Sequence, residues 1–332
     1  MTWNTVGHDW AVTLLRQGLA GGRSAHATLF CGPPQIGKTT LALELAQALN
    51  CPQPDPPCGH CPSCLKTARR AHPDVQLIVG KGAGEAIQID QIRALQREAV
   101  LAPYEGRYRV LILRHIDRAT TEAANCLLKT LEEPPAHVVL ALTAVQPELL
   151  PSTVVSRCQR LDLRPVAQVI VEAALRKREC PAPQAHLLAQ LSGGRVGWAI
   201  AASHDDSTLR QRQQDLDQLF ALLSADRVSR LDFAWKISRD PTTARRQIDM
   251  WTAWYRDLLL WQGESRIHVA NVDKTDALDA LAQQTPVRHA WATLKALRET
   301  ADQLEANVNP RLALEGLVLK LPYHRLSRPD GA

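Results

Sequence analysis

Residues 32–39 read Gly32-Pro33-Pro34-Gln35-Ile36-Gly37-Lys38-Thr39, which fits G-x-x-x-x-G-K-[ST] at every fixed position. The flanks agree with the motif. Ala27-Thr28-Leu29-Phe30-Cys31 reads as a short buried strand, and Thr39 to Asn50 as an apolar-periodic helix. The glycines let the backbone turn around phosphates and aim N–H groups at them, and the helix start adds its positive dipole end. Lys38 would reach the β- and γ-phosphates and the Thr39 hydroxyl would hold Mg²⁺, with Thr40 completing the turn. The competing reading is a glycine-rich strand-to-helix turn without ligand, which leaves the regular flanks unexplained. Working outward from this loop, the question is what a bound ATP or ADP does.

The chain has 332 residues, enough for two or three domains, and a formal net charge of +5. That mild excess of base permits nucleic acid nearby without demonstrating it. Met1-Thr2-Trp3-Asn4-Thr5 carries no basic leader pattern, and no stretch reaches the roughly 18 apolar residues of a membrane helix. The expectation is a cytoplasmic protein with no membrane partner, whose eight cysteines are not structural disulfides.

Four of those cysteines follow the loop's helix. Cys51, Cys58, Cys61 and Cys64 are spaced C-x₆-C-x₂-C-x₂-C within one short excursion. Clustered thiolates in a reducing compartment suit a closed tetrahedral zinc site, structural because no position is left for substrate. A redox pair, an iron–sulfur cluster or buried thiols are the competitors, and His60 is not needed as a ligand. Cys31, Cys126, Cys158 and Cys180 stand apart and read as small core residues.

The remaining order continues the alternation. Residues 2–20 read as a helix with Trp10, Leu14, Leu15 and Leu19 on one face. Asp74–Val79 reads as a strand, 80–84 as a loop, and Ile89–Val100 as a helix with Asp90 capping it or in its first turn. Arg109–Leu113 is an apolar strand of the doubly buried kind. A helix over 122–132, a strand over 137–143 and a strand over 159–163 follow, which predicts a parallel α/β sheet up to about residue 165. Beyond Pro165 the pattern is helical: 166–178, 184–191 and 198–203 around the 193–197 turn, then a long helical region from about 207. Its Trp and Leu spacing over 250–261 predicts core or packing interface, and 325–332 a frayed tail.

At the end of a strand such as Arg109–Leu113 a P-loop ATPase normally carries an Asp-Glu pair, for Mg²⁺ and for the attacking water. Here that strand ends in Arg114-His115-Ile116-Asp117. A cation cannot hold Mg²⁺, so the support for Mg²⁺ is weak, and Asp117 is expected to be a helix cap or a surface acid.

Leu127–Pro135, Ser156-Arg157-Cys158, the phosphate loop and the four-cysteine insertion together resemble the bacterial clamp-loader subunits of DNA polymerase III, most of all the delta-prime kind. The likeness covers the first 200 residues; the rest is similar only in length and class. It implies an AAA+ P-loop sheet domain over 1–165 with the zinc insertion at 51–64. A small helical lid over 166–206 and an all-α collar domain over 207–332 that holds the oligomer complete the expected architecture. It implies partnership with the delta and gamma/tau subunits in a hetero-pentameric ring, and through them with the sliding clamp and primed DNA. No polymerase activity of its own is implied.

The departures from the motor pattern point to a subunit that does not hydrolyse ATP. The acidic pair is missing, and Trp198 stands where motor subunits carry a phosphate-sensing arginine, with Arg195 a few residues early. Thr143 is the one polar stand-in at the end of its strand. Arg157 then reads as an arginine finger supplied in trans to a neighbouring ATPase, against the plainer reading of an edge arginine paired with an acid. The alternatives are an active gamma/tau-type clamp-loader ATPase, which lacks its acids here, and a small P-loop kinase, which would not explain Ser156-Arg157-Cys158 or the cysteine excursion.

Overall fold

The computed structural model describes residues 3–21, 25–81, 86–263, 265, 269–305 and 308–323. The expectations for Met1 and Thr2, for most of the 80–84 loop and for the 325–332 tail fall outside them.

Five parallel strands form one sheet: β1 (Ala27–Cys31), β2 (Val75–Ile78), β3 (Arg109–Leu113), β4 (Val138–Ala144) and β5 (Gln159–Asp162), in the order β2-β3-β4-β1-β5. The three central strands are buried at every position, as their largely apolar sequences require of a sheet covered on both faces. The edge strand β5 exposes Gln159, Arg160 and Asp162, and an Arg160–Asp162 pair at 2.8 Å places charge along that edge. The helices between the strands are α2 (Lys38–Asn50), α3 (Pro62–Ala68), α4 (Ile89–Ala99), α5 (Thr121–Glu132) and the short α6 (Ser152–Val155). Helix α4 opens on a capping box between Gln88 and Gln91, and α5 on the Thr120 hydroxyl. Asp90 lies in the first turn of α4.

Helix α1 (Asp9–Ala20) is shorter than its sequence pattern. Gly7, at φ +76°, breaks it, and a side chain there would meet Val166. Ala11 and Leu15 are buried, whereas Trp10 and Leu14 face outward. Helix α3 was not legible, because a seven-residue helix beginning at Pro62 is too short to show a period.

The chain divides into two compact units, 1–174 with 194–198, and 175–193 with 199–332. Helices α7 (Gln168–Arg176), α8 (Ala182–Leu191) and α9 (Val196–His204) span the boundary region. In the second unit lie α10 (Ser207–Ser224), α11 (Arg227–Ile237), α12 (Pro241–Gln262), α13 (Thr275–Gln284), α14 (Val287–Glu305) and α15 (Pro310–Lys320). The tryptophans of α12 are core: Trp251, Trp254 and Tyr255 are among the largest fully buried side chains, and Trp254 meets Phe220 edge-to-face at 5.0 Å. Arg230 is buried there too. Its Nη1 donates to the carbonyls of Val318 and Leu321, and its Nη2 to those of Leu223 and Pro322. One side chain thus satisfies carbonyls at the end of α15, which no intrahelical N–H can reach.

Candidate nucleotide and metal sites

The phosphate loop lies between β1 and α2, at the carboxyl end of the sheet, where ligands of such sheets bind. Gly32 and Gly37 have φ of +141° and +113°, and a side chain at Gly32 would collide with the Leu163 carbonyl. Pro34, Gln35 and Thr40 are exposed, Ile36 is buried, and Pro33 and Thr39 are half-buried. Lys38 is 5% exposed, and its ammonium donates to the carbonyls of Gly32 at 2.6 Å and Pro33 at 2.7 Å. Burial pushes this lysine down to about 8, with Asp117 and Cys31 working in the opposite direction.

Two further segments hold the loop. His8 is buried and its Nε2 lies 3.1 Å from the Ile36 carbonyl. The Gly197 N–H at the start of α9 donates to the Gln35 carbonyl at 2.8 Å. Gly7, His8, Trp10, Asp162, Arg164 and Val166 line a cleft of about 370 Å³. Sequence reasoning missed this cleft, since its walls are some 150 residues apart in the chain; the signal was Gly7-His8, a break in an otherwise helical pattern. Trp198 is buried, with the Arg195 guanidinium 5.8 Å from its ring centroid. Its indole has no charge to offer a phosphate.

At the end of β3, His115 takes a left-handed conformation, φ +56°, and its N–H donates to Thr143 Oγ1 at 3.1 Å. Thr143 is wholly buried. Burial, then Arg118, Arg114 and Lys38, push His115 down to about 3, so its imidazole is neutral near pH 7. An imidazole of such low basicity accepts a proton poorly and brings no negative charge to the site. Asp117 is neither a helix cap nor a surface acid, which corrects the expectation. It is half-buried in a 3₁₀ turn, and its Oδ2 accepts from the N–H groups of Val145 and Gln146 at 3.0 and 3.1 Å. It ties the end of β3 to the loop after β4, a contact set by strand adjacency and not by local spacing.

The four cysteines of the excursion converge. The sulfurs of Cys51, Cys58, Cys61 and Cys64 all lie within 4.8 Å of one another, with Cys58–Cys64 and Cys61–Cys51 at 4.0 Å. Zinc–sulfur bonds of about 2.3 Å in a tetrahedron need sulfurs about 3.8 Å apart, so the set fits a metal. The N–H groups of Cys61 and Cys64 point at the sulfurs of Cys58 and Cys61, at 3.3 and 3.4 Å, as thiolates require. His60 is exposed, with Nδ1 3.0 Å from the Cys58 carbonyl. Of the isolated cysteines Cys31 is buried, while Cys126, Cys158 and Cys180 are half-buried.

Arg157 follows α6. Its Nη2 lies 2.7 Å from Glu132 Oε1, and its side chain is 36% exposed.

A sequence profile described as "DNA polymerase III, delta subunit" matches residues 7–167, and one described as "DNA polymerase III, delta subunit, C terminal" matches 207–322. DNA polymerase III subunit delta' of Bacillus subtilis is 30% identical over 313 residues, covering 93% of this chain and 94% of that protein. The chain belongs to the delta-prime family of DNA polymerase III subunits. Its likeness to the tau subunits takes a different form. The B. subtilis tau subunit is 27% identical over 96% of this chain, which spans 61% of tau. The Salmonella typhimurium tau subunit is 36% identical over 48% of this chain, 25% of its own length. Among solved structures, a gamma subunit-related protein from Thermotoga maritima aligns over 92% of this chain and 96% of its own, at 18% identity and a TM-score of 0.45. No helix among the described residues is long and apolar enough to cross a membrane.

Proposed function

We propose that this delta-prime family member is a non-hydrolysing subunit of the DNA polymerase III clamp loader. It works in the cytoplasm beside the delta and gamma/tau subunits in a five-membered ring that sets the sliding clamp on primed DNA. Residues 1–165 form the nucleotide-binding domain, 166–206 the lid and 207–332 the collar that assembles the ring. The observation that carries the reading is the end of β3. Arg114 and a neutral His115 stand where a motor has two acids, and Asp117 is engaged with the loop after β4. The phosphate loop is nonetheless whole, so the chain binds ATP or ADP through Gly32–Thr40 without turning it over. Mg²⁺, when present, would depend on Thr39 and the phosphates, because the acid that supports it in motors is absent. Zinc on Cys51, Cys58, Cys61 and Cys64 holds the excursion in shape.

Arg157 supplies the catalytic contribution of this subunit, in trans. A guanidinium is always charged and presents a planar fork of donors to phosphate oxygens. Placed at a neighbour's ATP, it stabilises charge on the transferring γ-phosphate. The test is a reconstituted loader carrying Arg157→Ala in this subunit alone. Assembly should survive, while clamp- and DNA-stimulated ATPase falls by the share of the one site it faces. Arg157→Lys should rescue poorly, because an ammonium cannot make the bidentate contact. Normal ATPase and loading in the Arg157→Ala loader would make Arg157 structural. Turnover by the isolated chain that disappears with Lys38→Ala would favour a gamma/tau-type motor instead.

A further inference from the structure

Arg157 is already oriented within this chain. Its Nη1 donates to the Thr153 carbonyl at 2.9 Å and to Ser156 Oγ at 3.4 Å, both in the α6 turn. Its Nη2 pairs with Glu132 Oε1 at 2.7 Å. Glu132 is the last residue of α5, and α5 packs along α6, so the backbone that carries the carboxylate belongs to a packed helix and not to a loop. A guanidinium carries five N–H donors in one plane. Thr153, Ser156 and Glu132 take up donors on Nη1 and Nη2, and among the described residues Nε has no partner. The Nε–H is therefore the donor left for an outside acceptor. Both partners remain reachable, with Arg157 36% and Glu132 49% exposed. A half-exposed ion pair is weak. It biases the rotamer of a long, flexible side chain without competing seriously against a polyphosphate.

We infer that Glu132 is the positioning residue for Arg157. Its carboxylate, carried at the end of α5, aims the guanidinium so that the Nε–H meets the γ-phosphate of a nucleotide held by a neighbouring subunit. This rests on the trans-arginine reading of Arg157. It adds that the finger is pre-set in the chain before docking, which spares the neighbour's transition state the cost of ordering it. The carboxylate stays behind the guanidinium, its charge largely neutralised by the arginine it holds.

The test uses the loader assembled from the full chain and its partner subunits. Stimulated ATPase is measured for wild type, Glu132→Gln, Arg157→Ala and the double variant, with thermal midpoints of each chain. Gln keeps the size of the side chain and removes its charge. Glu132→Gln should lower the Arg157-dependent part of the rate about two- to fivefold, the range expected for a half-exposed ion pair. The loss should fall on kcat with KM nearly unchanged, and Glu132→Asp should recover part of it. In the Arg157→Ala background Glu132→Gln should add nothing. An equal loss in both backgrounds, or a wild-type rate for Glu132→Gln in a loader that Arg157→Ala slows, would overturn the positioning role. If Arg157→Ala itself leaves the rate unchanged, the trans-arginine reading fails first and takes this inference with it.

Discussion

The Lys38 ammonium sits 2.6 Å from the carbonyl oxygen of Gly32, so the lysine that would meet phosphate is held by its own loop. Binding a nucleotide exchanges loop carbonyls for phosphate oxygens, a stronger, charge-assisted contact. It also favours the charged form of the lysine, whose pKa burial has brought down to about 8. Below that pH the cation is already formed. Above it, binding must take up a proton, so affinity for ATP or ADP should weaken by up to about tenfold per pH unit. Calorimetry in two buffers of different ionisation heat should show proton uptake at pH 9 and little at pH 7. Lys38→Ala should bind about ten- to a hundredfold more weakly and lose the pH dependence. Wild-type affinity that is flat between pH 7 and 9.5 would contradict this.

His115 makes folding sensitive to acid. Its folded value is about 3 against an ordinary 6.5, so the folded chain binds its proton less readily than the unfolded chain. The stability this contributes is complete above about 6.5 and is lost as pH falls toward 3. His115→Asn tolerates the left-handed backbone and cannot protonate. Urea unfolding at pH 7 and pH 4.5 should therefore show a smaller loss on acidification for the variant than for wild type. Equal losses would place the acid sensitivity elsewhere.

Metal analysis of the purified protein should give about one zinc per chain. Cys61→Ser should lose the metal and expose the 51–64 excursion to proteolysis, while the sheet core stays folded because the excursion lies between α2 and β2, outside the strands. Circular dichroism and limited digestion would separate the two. Global unfolding on chelation would show that the site supports the whole first unit.

Arg230→Met should destabilise the second unit by about 2–4 kcal/mol, since it strands buried carbonyls near the end of α15. The cost is that of unsatisfied acceptors, because Met fills much of the same volume. Chemical denaturation would measure it, and a change below about 0.5 kcal/mol would mean that water replaces the guanidinium.

Much of the first unit was legible because its signals are local. The short apolar runs of Val110–Leu113 and Val138–Leu142, with β-branched Val and Ile among them, point to strands buried on both faces, and they are. Cys51 to Cys64 lie close enough in sequence that spacing alone brings the sulfurs together. Helix α1 is shorter than its periodicity predicts, since periodicity does not show that Gly7 must clear Val166, a residue across the fold. Asp117 departs from the local expectation for the same kind of reason: its partners, Val145 and Gln146, lie 28 and 29 positions away.

The sequence by itself determined the phosphate loop between a buried strand and a helix, the cysteine excursion and the missing acids after Leu113. Each is a pattern of a few residues whose chemistry does not depend on the rest of the chain. Only the tertiary structure decided that Lys38 rests on its own loop, that Asp117 ties two strand ends together, that Arg230 closes α15 and that Glu132 faces Arg157. The last three depend on which strands and helices become neighbours, a choice made by burial across the whole fold. The lysine's pose depends on the φ the loop adopts, which the motif permits without dictating.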